Sequence, residues 1–446
     1  MLKVGFARVD VTPPLGSFVA GYFEARYADG IIDPIELNAI AVESDTGRVL
    51  IIASDLLGIR ESFATKIRLL IAQRTGIADD HIMITALHQH TSICLREAAD
   101  NNVMEDHCYL ELLYRKFADV AQMAIADLTE ATVGYAEAES AEPLSFVRRY
   151  RMSDGSVATN PKLKKVGPAA WPPVAPAEPA DNTVRLLKCT RTDGKTVVLV
   201  NFSTHPDVVK GTKFSADWPG FVRRFVEGEH ENTRCLLLNG CQGDSNHKNY
   251  LLPPEERIYR GSNLLHAEHM GRVIADTVNG IWNSTKALQD QTVDACMTTV
   301  YHKTRTDREE MFDECWELYR AYMLEHDYSK SETASGLTKA EASRVVKIRL
   351  EAPLYQKIPV TALRVGEIGF VGFGGEPFTH YATAVRASFP GQTVIAACCA
   401  NGFQGYLPTA AAFAEGGYEV QSSPFTSQLE DDCITAAREL LQKMHF

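Results

Sequence analysis

Short apolar runs, closed by Gly, Pro, Asp or Asn, alternate along this chain with stretches whose apolar residues fall three and four apart. Runs of the first kind predict strands over residues 4–11, 37–42, 49–55, 82–87, 196–202, 234–238, 358–365, 368–372 and 392–397. The second kind predicts helices over 62–73, where Ile67, Leu70 and Ile71 share a face, and over 106–128, 217–227, 263–283, 378–388 and 429–443. A charged segment at about 305–347 is expected to be mainly helical and exposed. Pro13 and Pro14 make a rigid turn after the first strand. Residues 161–180, which hold Pro161, Pro168, Pro172, Pro173, Pro176 and Pro179, are expected to form a loop of the kind that covers a substrate site. Strands and helices interleave throughout, so the predicted class is α/β (mixed α+β).

Length and composition narrow this picture. A chain of 446 residues with no internal repeat can form one large catalytic unit over 1–446. The net charge is −12 and no basic stripe is present, so neither nucleic acid nor an anionic membrane surface is an expected partner. No apolar stretch reaches the roughly 20 residues of a membrane span, and the N-terminus moves directly into a strand without a signal-type apolar segment. The ten cysteines follow no zinc-finger spacing and read as buried thiols, which makes a cytoplasmic location the expectation and a mature secreted chain the alternative.

Candidate chemistry collects where strands end. His88 and His90 follow the run at 82–87, and on an extended segment residues two apart face the same side. His205 follows the strand at 196–202, held extended by Pro206. Glu376 follows Gly372, Gly374 and Gly375, which allow close backbone approach, and Tyr406 follows the last strand. Each has an ordinary alternative: strand-end capping for the histidines, a first-turn helix position for Glu376, packing for Tyr406. Brought together in space, they would make an open, catalytic type of metal site and not a closed Cys-rich one. The loop Gly240-Cys241-Gln242-Gly243-Asp244-Ser245-Asn246 is a candidate backbone-donor loop for an anion or oxyanion. Asp10, Asp55 and Asp244, near strand ends, could hold a structural Mg2+ or Ca2+, and capping explains them equally well.

These segments, taken in order, resemble the neutral/alkaline (non-lysosomal) ceramidase family. The opening from Gly5 to Gly16 with Ala20-Gly21-Tyr22 resembles its N-terminal signature. Ala86-Leu87-His88-Gln89-His90-Thr91-Ser92 is similar to its Thr-His-Thr-His-Ser segment, and Asn201 to Pro206 to its Asn-Phe-Ala-Thr-His-Pro segment. Gly243-Asp244, Gly375-Glu376-Pro377-Phe378, and Gly405-Tyr406 with Tyr418 follow in the family's order. The resemblance implies central mixed sheets flanked by helices and one catalytic Zn2+ held by His88, His205, Glu376 and Tyr406. It further implies that a zinc-activated water cleaves an amide, with His90 passing a proton to the leaving amine and Tyr418 or a loop N–H stabilising the oxyanion.

Three departures bear on the substrate. The family's serine falls on Asn246, or on Ser245 with a one-residue slip. The family's Gly-Pro-Gly-Gly after the His pair is replaced by Ile93-Cys94-Leu95-Arg96-Glu97. The family's C-terminal β-domain is not expected in a chain that runs about 30 residues past Tyr418. The expected partner is therefore a small-molecule amide or acyl-type substrate other than long-chain ceramide, with Arg96, Lys162, Lys164 and Lys165 as candidate contacts to an anion. The competing expectations are a zinc hydrolase of an ester or glycoside, and an inactive binding protein on the same fold.

Overall fold

The computed structural model describes residues 1–22, 25–95, 107–161, 172–306, 309–325, 327, 329, 332–334 and 337–446. Nine strands form one mixed sheet. Its main strands are β1 (Lys3–Asp10), β2 (Glu36–Glu43), β3 (Arg48–Ser54), β4 (Ile82–Ala86), β5 (Thr129–Glu139), β6 (Thr183–Arg191), β7 (Thr196–Phe202) and β8 (Thr233–Asn239). They are ordered β8-β7-β6-β5-β1-β2-β3-β4, and Lys286–Ala287 adds to β5. A four-stranded sheet runs β9 (Val293–Lys303), β10 (Tyr355–Val365), β11 (Ile368–Phe373) and β12 (Thr393–Ala397) in sequence order. Neighbours are antiparallel except for three pairs, β3/β4, β7/β8 and β11/β12, which are parallel.

Alternation along the strands builds the layers. On β2, Ile40 and Val42 face a core shared with Leu363, Ile368 and Ile395 of the smaller sheet. Leu37, Ala39 and Ala41 of the same strand face α1 (Glu61–Thr75) and α2 (His107–Ala126). The far side of the smaller sheet is closed by α7 (Thr379–Ala387) and the terminal helix Leu429–Lys443. In chain order between α2 and α7 come α3 (Asp217–Glu229), α4 (Asn263–Ile281), α5 (Phe312–Tyr319) and α6 (Lys339–Glu351). Asn401 joins the sheets: its side chain accepts from Ile84 N–H and donates to Ile82 O and Thr361 Oγ1.

Three strands lacked a sequence signal. β5 is rich in Ala and Glu, β6 carries Arg and Lys among its apolar residues, and β9 mixes polar and apolar residues without regular alternation. Long antiparallel pairing, β5 with β6 and β9 with β10, overrides weak strand propensity there. Within the expected loop at 161–180, Pro173–Pro176 forms a strand against Arg149–Met152, while 162–171, with Lys162, Lys164 and Lys165, lies outside the described residues. The segment expected to be exposed near 305–347 carries its own core of Cys315, Leu318, Leu337, Ala342, Val345 and Val346. Thr338 and Glu341 form a reciprocal cap at the start of α6.

Asp181 ties β6 to α7. Its carboxylate meets Arg185 at 3.1 Å and Arg386 at 2.8 Å. Burial pushes this carboxyl up, but the two guanidiniums outweigh it and hold it at about 2. A depressed carboxyl stabilises the fold above its unfolded value and loses that contribution as pH falls through the folded value. Asp181→Asn is expected to cost about 2 kcal/mol at pH 7 in urea unfolding, with the gap to wild type closing between about pH 4 and 2. A gap that stays constant over that range would contradict this account.

Candidate metal centre

The three parallel strand pairs converge with their carboxyl ends on one point, the place where open α/β sheets bind ligands. His88 lies just past β4 and has φ 77. The expected extended His88-Gln89-His90 segment is thus replaced by a turn through a left-handed residue, at a cost of about 1–2 kcal/mol. The turn still brings the two rings together, with Nε2 to Nε2 at 3.3 Å. His88 Nδ1 is 2.7 Å from Leu57 O, and His205 Nδ1 is 3.0 Å from Gln242 O. A carbonyl can only accept, so both Nδ1 atoms carry the proton and both Nε2 atoms present lone pairs.

Glu376 Oε2 lies 3.2 Å from His88 Nε2 and 3.4 Å from His205 Nε2. Glu376 Oε2 and His205 Nε2 are buried and have no hydrogen-bond partner. Burial pushes the Glu376 carboxyl up, but His88 and His205 hold it well below the usual carboxylate range. Burial, aided by Arg148, lowers His205. With both Nε2 atoms presenting lone pairs, Glu376 Oε2 faces acceptors only, an arrangement that costs free energy unless a cation lies among them. This donor set fits a metal ion. Ligand nitrogens of His88, His90 and His205 also lie within 4.8 Å of one another, so these three could hold a metal.

Tyr406 reaches this point through a short parallel pairing in which it is the direct partner of Glu376. Its ring centroid is 6.5 Å from that of His205. The Arg148 guanidinium stands 5.1 Å over the Tyr406 ring, and Tyr418 lies 5.7 Å from it, centroid to centroid. Burial raises the Tyr406 phenol, with Arg148 opposing. Two glycines are required by close approach. A Cβ on Gly243 would stand 2.2 Å from Glu376 O, and one on Gly21, at φ 106, would stand 2.9 Å from the His90 ring.

A scan against protein-family models and a search of curated proteins give no match. Solved structures do match. Neutral ceramidase from Pseudomonas aeruginosa superposes with a TM-score of 0.74 at 15% identity, over 98% of this chain and 74% of that one. A ceramidase complexed with C2 gives 0.72 at 13% identity, over 100% of this chain and 76% of that one. The chain has the neutral ceramidase fold.

On this ceramidase fold the remaining sequence candidates separate. Ser245 Oγ donates to Gln242 O, the carbonyl that also accepts from His205. Asn246 turns to Asn160 and Lys248 instead. The loop from Gly240 does not offer the expected donors at Gly240, Gly243 and Ser245, whose N–H groups bond to Phe202, Pro377 and Gln242 carbonyls. Asp10 bonds Thr12, Asp244 bonds Thr379 at the start of α7, and Asp55 is ion-paired with Arg223. Asp10 and Asp55 are thus engaged within the chain, while the buried Oδ2 of Asp244 has no hydrogen-bond partner. Cys94–Leu95 pairs with Gly58–Ile59, whereas Arg96 and Glu97 lie outside the described residues. Among the described residues no helix is long and apolar enough to cross a membrane.

Sequence reasoning missed four side chains. Arg148, with Nε 2.7 Å from buried Glu419, had a signal: a doubled arginine between apolar residues. Asp207 lies 3.6 Å from His90 Nδ1 and also bonds Lys210 and Tyr22. Burial lowers His90, and His90 with Lys210 holds Asp207 far down against its own burial. Arg223 and Arg344 come from helices far away in sequence and had none.

Proposed function

We propose that this chain is a zinc-dependent hydrolase that cleaves an amide bond in a small-molecule substrate, with residues 1–446 acting as one catalytic unit. The observation that carries this reading is the convergence of His88 Nε2, His205 Nε2 and Glu376 Oε2, three acceptors with no donor among them. With Tyr406 they form a nitrogen–oxygen donor set without cysteine, which suits a catalytic zinc site. Zinc in such a site acts as a Lewis acid and makes water nucleophilic near neutral pH.

The surrounding residues supply the rest. His90 stays neutral at working pH, with the Asp207 carboxylate 3.6 Å from its Nδ1 to favour a transient positive charge on the ring. His90 can therefore accept a proton and return it to a leaving amine. Arg148 and Tyr418, both against the Tyr406 ring, carry the N–H and O–H groups that stabilise negative charge on a carbonyl oxygen. Ser245, linked to His205 through Gln242 O, is a better counterpart of the ceramidase serine than Asn246.

The test is a panel of soluble amides, esters and glycosides assayed with the protein as purified, stripped with chelator, and reconstituted with zinc. Free amine released only by the first and third samples supports the reading. Turnover of esters or glycosides alone would move the activity to another bond. His90→Gln separates the two ligand sets. The variant is expected to keep its zinc while kcat falls about 10²- to 10⁴-fold. Loss of the metal would make His90 a ligand and not a proton carrier.

A further inference from the structure

The helical segment between β9 and β10 carries a side chain into the site. Arg344, on α6, donates from Nη2 to the Tyr418 hydroxyl at 2.7 Å, and its guanidinium stands 4.9 Å over the Tyr418 ring. The groups whose charges act on it are Tyr418, Tyr406, Glu376 and Arg148, all members of the candidate metal centre.

Unlike the fully buried arginines, Arg344 lacks a carboxylate partner. Arg148 pairs with Glu419, Arg149 with Glu415, Arg185 with Asp181 and Arg223 with Asp55. Among the described residues Arg344 has no such partner; its contacts are those with Tyr418. A guanidinium offers five N–H donors in a planar fork, so most of this one remains unused. The nearby negative charges are already committed: Glu419 to Arg148, and Glu376 to the two histidines or the ion they hold. An anion on the open side of this half-buried cation is favoured by its charge and by the repulsion that Arg148 exerts on it. Arg binds a carboxylate through two parallel hydrogen bonds, the arrangement its free fork allows.

We infer that Arg344 recognises a carboxylate on the substrate, so that the amide cleaved belongs to an N-acyl amino acid or a similarly anionic acylamide. This inference rests on the amide-hydrolase reading of the site. Specificity then has an attractive part, the Arg344–carboxylate pair, and a repulsive part. A neutral lipid amide would leave the guanidinium desolvated and unpaired.

The test uses two non-cleavable probes, the ketomethylene isostere of N-hexanoylglycine and its uncharged primary-amide twin. Both are titrated calorimetrically into the zinc-loaded full chain. Wild type is expected to bind the carboxylate about 10- to 100-fold tighter than the twin. In Arg344→Gln that ratio is expected to collapse to about one, and Arg344→Lys, which keeps the charge, is expected to retain part of it. Should Arg344→Gln fail to fold, the reduced ratio in Arg344→Lys carries the test. If Arg344 only positions Tyr418, its loss weakens both probes equally and leaves the ratio intact, which overturns the inference. A wild-type ratio near one overturns it as well. A high ratio in a protein that cleaves no amide would sink the hydrolase reading while leaving the carboxylate assignment standing. Amide turnover with a ratio near one would do the reverse.

Discussion

Alanine at position 205 is expected to remove zinc from the protein and to lower kcat/KM by about 10³-fold or more, the equivalent of roughly 4 kcal/mol of transition-state stabilisation. Mass spectrometry of untagged wild type and His205→Ala, purified side by side, measures the first effect. Near-stoichiometric metal in wild type and none in the variant is the expected pair of results. The expectation follows from geometry. His205 is locked by its Nδ1–H bond to Gln242 O, and its Nε2 has no partner within the protein. The ring thus contributes nothing through Nε2 unless a cation is present. Retention of both zinc and activity in the variant would falsify the donor set.

Arg223→Met is expected to have the largest effect on stability, about 3–5 kcal/mol in urea unfolding. Arg223 donates to both oxygens of Asp55, at 2.8 and 2.6 Å, and Asp55 is fully buried. Losing the guanidinium strands a carboxylate in the interior. The damage reaches the metal centre because Gln89, between His88 and His90, donates from Nε2 to Asp55 Oδ1 at 3.0 Å. Metal affinity is therefore expected to fall about 10- to 100-fold, as for other groups that orient ligand-bearing segments. Replacing both partners, Arg223→Met with Asp55→Leu, removes the stranded charge and is expected to recover much of the stability. If the double variant is no better than the single one, the loss lies in packing and not in charge.

Several elements could be read directly from the chain. The strands that end at His88, His205 and Glu376 are apolar on both faces and sharply closed, so both their place and their exits were visible. The strand Thr129–Glu139 was not, because half of its residues face away from the core and favour helix locally; only its pairing with Thr183–Arg191 makes it a strand. In the site, histidines at strand ends stood out by residue type, yet the reason they meet differs from the one the pattern suggested. His88 adopts a left-handed backbone, and alternation plays no part. The arginines were invisible for another reason. Arg223 and Arg344 lie on helices where a charged residue ordinarily faces water, and their roles depend on tertiary neighbours over 70 residues or more of sequence.

The wide spacing of the proposed donors, at positions 88, 205, 376 and 406, has a consequence for biosynthesis. As the chain leaves the ribosome, the first two histidines emerge long before the carboxylate and the phenol that complete the set. At about 5–20 residues per second, the interval between His88 and Tyr406 spans tens of seconds. Through that interval the nascent protein holds only half of a chelating site, and its hold on the metal is correspondingly loose. On the proposed donor set an ion would be captured only near the end of synthesis or after it, once Glu376 and Tyr406 have emerged.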